Sequence, residues 1–217
     1  MITQIEQALI NRLARGLGKL TYRVDSYHGE LDDATIDVRR LPAVLVTYGG
    51  SRIERAGVSA RGHRHKSTDT FVAIVMVRSL RSNQAARQGG VAKFEIGANQ
   101  LVYAVLRLLT NQTLGNLVEP IKPVAVRTLF NHMELQKERL TAYAVEFEVC
   151  YSIQPPLEDG EYPAPTDDPT HPDYLFNAYD GELTPPYYLE RITGVITDPE
   201  VTTGFDIKTE TKNESKS

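Results

Sequence analysis

Phe71-Val72-Ala73-Ile74-Val75-Met76-Val77-Arg78-Ser79-Leu80 is the stretch from which the rest of the chain is read. Phe71, Ala73, Val75 and Val77 are apolar, and so are the residues between them, Val72, Ile74 and Met76. In a strand, successive side chains point to opposite faces. A strand apolar on both faces belongs in the middle of a sheet with cover above and below.

Towards the C-terminus, 140–153 alternates with unusual regularity. Thr141, Tyr143, Val145, Phe147, Val149, Tyr151 and Ile153 face one way; Ala142, Ala144, Glu146, Glu148, Cys150 and Ser152 face the other. At ~3.3 Å per residue that strand spans roughly 45 Å, longer than a small sheet needs, so part of it should project. Residues 124–131 form a further strand, with Val124, Val126, Thr128 and Phe130 on one side. Towards the N-terminus, 43–48 is a short apolar strand after Pro42, which a strand start tolerates. Gly49-Gly50 reads as a turn, and the polar, basic stretch 58–66 as a more exposed strand. An irregular acidic stretch, 26–37, precedes them.

Two helices complete the set. Ile2, Ile5, Leu9, Leu13, Leu17 and Leu20 recur at steps of three and four, giving one apolar stripe. Thr3 and Glu6 have the spacing of a capping box, and Gly16 and Gly18 supply a stop. A second helix is expected over 91–110, with Phe94, Ala98, Leu101, Val105 and Leu108 on one face. The order α-β-β-β-α-β-β predicts an α+β fold: a mixed or antiparallel sheet of four to five strands, two helices on one face, and an extended Pro-rich C-terminal arm. Two helices cover only one side of 71–80. Leaving the other side wet forfeits roughly 1.5–3 kcal/mol per Val or Ile. The missing layer is therefore expected from the arm, a neighbouring subunit, or both, which implies oligomerisation.

The 217 residues are 41% hydrophobic and 24% charged, a globular rather than a disordered composition. One cysteine excludes an internal disulfide framework and a cysteine-built zinc site. Apolar runs stop short of the ~18 residues a membrane span needs. Glu6, Arg12, Arg15 and Lys19 interrupt any signal-peptide core, so a cytoplasmic protein is expected. The net charge of -4 conceals a division. Residues 1–153 carry 20 Lys+Arg against 14 Asp+Glu, whereas 154–217 carry 4 against 14 and 9 of the 12 prolines. The chain thus divides into a basic body, 1–153, and an acidic extension, 154–217. Prolines at 155, 156, 163, 165, 169 and 172 forbid helix and central strand there. Tyr162, Leu175, Tyr179 and Leu189, with the candidate interface residues Tyr174, Phe176, Tyr187 and Tyr188, are more large side chains than a free linker carries. They suggest a strap docked on its own body or on a neighbour's, with 208–217 frayed.

No catalytic pattern emerges. Gly89-Gly90 followed by Lys93 lacks the phosphate-loop motif, and neither G-x-S-x-G nor H-E-x-x-H occurs. His63 and His65 share a strand face, yet Arg61, Arg64 and Lys66 beside them oppose a dication. Asp167, Asp168, His171 and Asp173 are suitable ligand types on a Pro-broken, solvated segment. Glu146 and Glu148 read as an exposed strand face rather than an acid–base pair, and Cys150 as a packing residue. No catalytic, cofactor-binding or metal residue is assigned. Charge is the strongest local feature. Arg52, Arg55, Arg61, Arg64 and Lys66, with His63 among them, face only Glu54, giving a candidate basic interface. Such a patch suits phosphates, but aromatics for base stacking are missing. The acidic extension, of the same chain or of a neighbour, is the favoured counterpart over nucleic acid.

Order and spacing then carry a resemblance. The opening Met1-Ile2-Thr3-Gln4-Ile5-Glu6, then Tyr27-His28-Gly29-Glu30-Leu31, then Leu41-Pro42-Ala43-Val44-Leu45-Val46 before Tyr48-Gly49-Gly50 resemble the Mu-like phage tail protein family. The likeness continues through the Arg-rich segment, the strand at Phe71, the helix and the final strand to Ile153. It implies a virion component assembled in the host cytoplasm: a tail terminator or tail completion protein with a small α+β fold and no catalytic residues. It also implies a ring, commonly a hexamer, that caps the head-proximal end of the tail tube, stops its polymerisation and mediates head–tail joining. The partners so implied are other copies of the chain, the tail tube protein, the sheath in a contractile tail, and head–tail connector or neck proteins, with DNA in the lumen and no membrane. A connector or neck adaptor contacting DNA is the alternative. A hairpin over 124–153 could extend a neighbour's sheet or meet the tube.

Overall fold

The computed structural model describes residues 1–29, 40–56, 64–78, 83–90, 95–129, 140–154 and 156–184. The chain divides into two compact units, Met1–Pro155 and Pro156–Ser217. The first holds a five-stranded mixed sheet with helices packed on it, an α+β architecture. Its strands are β1 (Arg23–Ser26), β2 (Ala43–Arg55), β3 (His65–Arg78), β4 (Lys122–Thr128) and β5 (Leu140–Ser152). They lie in the order β1-β2-β3-β5-β4. β1 runs parallel to β2, and every other pairing is antiparallel.

The stretch from Phe71 is central, as its two apolar faces require. Phe71, Ala73, Val75 and Val77 enter the main core with Val145, Phe147 and Val149 of β5. Over them lie α1 (Ile2–Leu17) and α3 (Ala98–Leu109). α1 buries Ile5, Leu9, Leu13 and Leu17 one turn apart, while Ile2 and Leu20 stay partly exposed. α3 buries Ala98, Leu101, Val105 and Leu109. Leu108 instead turns towards α1, where it meets Gly16: a Cβ there would lie 2.4 Å from Leu108 Cδ2. Arg12 reaches across to donate to the Leu108 carbonyl at 2.6 Å, placing a cation at the negative end of α3.

Several expectations need correction. The first helix starts at Ile2 with Met1 as its N-cap, so Thr3 and Glu6 form no capping box. Glu6 instead accepts a hydrogen bond from Ser26 beside β1. Gly18, at φ 49°, ends the helix, but Gly16 lies inside it and allows the close approach of α3. Gly49-Gly50 is no turn: β2 continues to Arg55, and the register against β3 slips between Tyr48 and Ser51. That slip is a β-bulge of one extra residue, with Gly50 at φ 109°. Of the basic stretch 58–66, residues 58–63 lie outside the described residues, and His65 and Lys66 begin β3 itself. β5 pairs with β3 along its length, from Ser152 to Leu140, so it does not project beyond its neighbour. The second helix begins at Ala98, and Phe94 and Phe130 fall outside the described residues. Two short elements, β1 and the helix α2 (Asn83–Gln88), were not foreseen.

The other face of the sheet is also closed where it is apolar. Ala43, Leu45, Ile74, Met76, Leu140 and Ala142 form a second buried cluster, with Tyr27, Leu41, Val72 and Leu129 packed against it. The face expected to need an external layer is therefore buried within a single chain where it is apolar.

Among the described residues of the second unit the chain doubles back on itself. Thr184 N–H donates to the Pro163 carbonyl at 3.0 Å, and Tyr162 N–H to Thr184 Oγ1 at 2.8 Å. A five-residue helix, α4 (Tyr174–Ala178), follows the last proline of the cluster.

Candidate assembly surface

β2, β3 and β5 run on past β1 as one paired arm, with residues 51–55 of β2 at its edge. Register settles which way each basic side chain points. Arg52 and Glu54 lie opposite Thr68 and Lys66 on the face away from the helices; Arg55 lies opposite His65 on the helix-bearing face. The predicted basic patch is thus spread over two faces. Two of its cations are also matched within the chain. Arg52 Nε is 3.0 Å from Glu54 Oε1, and Lys66 Nζ is 2.7 Å from Glu119 Oε2, a hydrogen bond that raises the lysine pKa. Arg55 and Arg64 have no ion-pair partner among the described residues, and a backbone bond from Ala56 N–H to the Arg64 carbonyl, 2.8 Å, brings them to one end of the sheet. Arg61 and His63 lie outside the described residues.

Beneath that end sits a group the sequence reading missed. Asp69 has no exposed surface. Ser67 Oγ donates to its Oδ1 and the Tyr151 hydroxyl to its Oδ2, the latter at 3.1 Å. Burying a carboxylate is costly unless it is hydrogen-bonded. Here two hydroxyls from adjacent strands meet it and fix β3 against β5. Burial pushes the Tyr151 pKa up; the Ser67 hydrogen bond opposes this and the Asp69 charge adds to it. The one available signal was alternation: Ser67 and Asp69 share the face of Phe71, so polar residues continued the core side of the strand.

Two concavities accompany these elements. One, of about 310 Å³, lies on the open face by the bulge and is lined by Gly49, Gly50, Ser51, Arg52, Thr68, Thr70 and Glu148. The other, of about 500 Å³, runs between the end of α1 and α3, where Leu20, Ile96, Tyr103, Ala104 and Arg107 line it. Glu146 is held by Arg127 at 2.6 Å. Cys150 is buried, with Thr68 Oγ1 3.5 Å from its sulfur. No group of three or more potential metal ligands occurs among the described residues. Asp168 accepts both the N–H and the hydroxyl of Thr170, which lowers its pKa. His171 Nδ1 accepts from the Asp173 N–H at 3.1 Å.

β4 is the barest element. Six of its seven residues are exposed, including Val124 at 60% and Val126 at 47%. Of the candidate residues in the second unit, Tyr174 and Phe176 stand on α4, with Phe176 42% exposed; Tyr187 and Tyr188 lie outside the described residues. No helix of the described residues is long and apolar enough to cross a membrane.

The fold defines the class first: an α+β body in which helices pack on a five-stranded mixed sheet. The model of the Bacteriophage Mu, Gp37 family matches residues 1–152, and the chain belongs to that family. Membership implies a virion-related phage protein, and the match spans nearly the whole first unit. No curated protein matches the chain.

Proposed function

We propose that this chain is a ring-forming tail terminator. Copies of it close into a ring, commonly a hexamer in such proteins, on the head-proximal end of the tail tube. There the ring stops tube polymerisation and joins tail to head. The observation that carries this reading is the family match running through the folded body to its last strand. A ring needs two different patches on each subunit, one to give and one to receive. The body supplies dissimilar ends: the basic arm of β2 and β3 on one side of the sheet and the bare β4 on the other. The charge division adds a second complementarity, a body with a surplus of cations and an extension with 14 Asp+Glu against 4 Lys+Arg. Partners in this role are the tube protein, the sheath of a contractile tail and neck proteins. The test is addition of the purified chain to polymerising tube protein: tubes of limited length with annular ends are expected, and unrestrained growth contradicts the role.

A second reading, a connector or neck adaptor that touches DNA, is favoured by the unmatched cations Arg55 and Arg64 at one end of the sheet. Phosphate contacts are lost with added salt. Arg55→Glu with Arg64→Glu should abolish any DNA retention while leaving rings intact if this reading holds. Equal retention by both proteins rules it out.

A further inference from the structure

We infer that successive copies join edge to edge: the outer side of β4 in one copy pairs with the outer side of residues 51–55 of β2 in the next, making one continuous sheet. The inference rests on the ring reading and names its seam. Both edges are open among the described residues. β1 covers only residues 43–46 of β2, and no strand pairs with the outer side of β4.

Polarity fits. β2 is antiparallel to β3, β3 to β5, and β5 to β4, so β4 runs opposite to β2. Rotation about an axis along the strands preserves direction, so β4 meets the next β2 antiparallel, the more stable ladder. Faces fit as well. Ile53 lies opposite Ser67, and Val126 opposite Val145, both on the helix-bearing side. Ile53 is 58% exposed and Val126 47%. Joining the edges places these two β-branched side chains together as a cross-strand pair. On the other face, the edge cations Arg52 and Arg127 are already matched by Glu54 and Glu146 of their own copy, so little repulsion remains at the seam.

The stagger is also right for closure. Through β3, Ile53 stands level with Tyr151 of β5, whereas Val126 stands level with Val145, six residues further back along the strand. Seating Ile53 beside Val126 therefore slips each copy by about 20 Å at ~3.4 Å per residue. Each copy adds four strands, β2, β3, β5 and β4, or about 19 Å of sheet width at ~4.8 Å per strand. A slip of about 20 Å over a width of about 19 Å tilts the strands by about 45°, at the upper end of the 35–45° typical of closed barrels. The tilt does not depend on the number of copies.

The test uses the full-length chain carrying Cys150→Ala with Ile53→Cys and Val126→Cys. Under mild oxidation a ladder of covalent oligomers up to the full ring is expected, and neither single cysteine should give more than a trace. Rings that form but give no ladder, with Cys at 124 or 128 substituted for 126 failing likewise, overturn the seam and leave the ring reading standing. A chain that never assembles overturns both. As a second readout, Val126→Glu should weaken association at least tenfold without changing the melting of the lone chain, because Val126 is exposed there. Adding Ile53→Lys should restore association. Rings that persist undiminished with Glu at both 53 and 126 contradict the pairing.

Discussion

Asp69 is the residue on which the sheet's arm depends. A carboxylate without exposure keeps only the donors its strand neighbours supply, Ser67 and Tyr151. Tyr151→Phe removes one of them and should cost about 1–2 kcal/mol, read as a lower denaturation midpoint in urea. The same substitution should change the alkaline limb. The folded protein holds the phenol proton more tightly than the unfolded chain, whose value is near 10.0. That increment is complete below pH 10 and is lost as pH rises through the raised folded value. The variant should therefore show less decline in stability above pH 10 than the parent; parallel declines would show that the phenol contributes nothing. Gly16 is the other decisive residue. With Leu108 Cδ2 2.4 Å from where a Cβ would sit, Gly16→Val should force α1 and α3 apart at about 1–3 kcal/mol, read as a drop in melting temperature; an unchanged melting temperature would show that Leu108 yields freely.

Elements were legible in proportion to their length and regularity. The alternation of β5 and the two apolar faces of β3 could be read from single residues, and so could the four-residue step of Ile5, Leu9, Leu13 and Leu17. β1 could not: four residues with Val24 as the sole aliphatic carry no period, and its place comes from pairing with β2. Gly49-Gly50 misled because a glycine pair serves a turn and a bulge alike; only the register of Phe71 and Asp69 against Tyr48 and Ser51 decides between them. The assembly surface was partly legible. The cations were visible in the sequence, and the odd spacing of Arg52 and Arg55 already sets them on opposite faces; which face each takes depends on that bulge, which shifts every later side chain of β2. Gly50→Ala tests its importance. At φ 109° a Cβ is strained by about 1–2 kcal/mol, and the penalty should appear as lost protection of the 51–55 amides in hydrogen exchange. Unchanged protection there would mean that the bulge tolerates other backbone geometry.

For the whole molecule, closing the second sheet face within one chain moves the case for assembly elsewhere. Leu45, Ile74 and Met76 need no neighbouring copy, since they are buried within a single chain. What calls for a neighbour is the pair of open strand edges, which folded proteins ordinarily blunt or cover. Lys122, Pro123 and the register shift after it blunt only the start of β4. The acidic extension should reinforce the ring electrostatically; removing residues 154–217 should lower the salt concentration at which rings dissociate, measured on a calibrated column, and an unchanged profile would show that it plays no part. Native mass spectrometry of the full-length chain asks the central question directly. The account predicts one closed species at a whole multiple of 24.2 kDa, persisting on dilution to micromolar concentrations. A single copy at 24.2 kDa under those conditions, with no larger species, would contradict it.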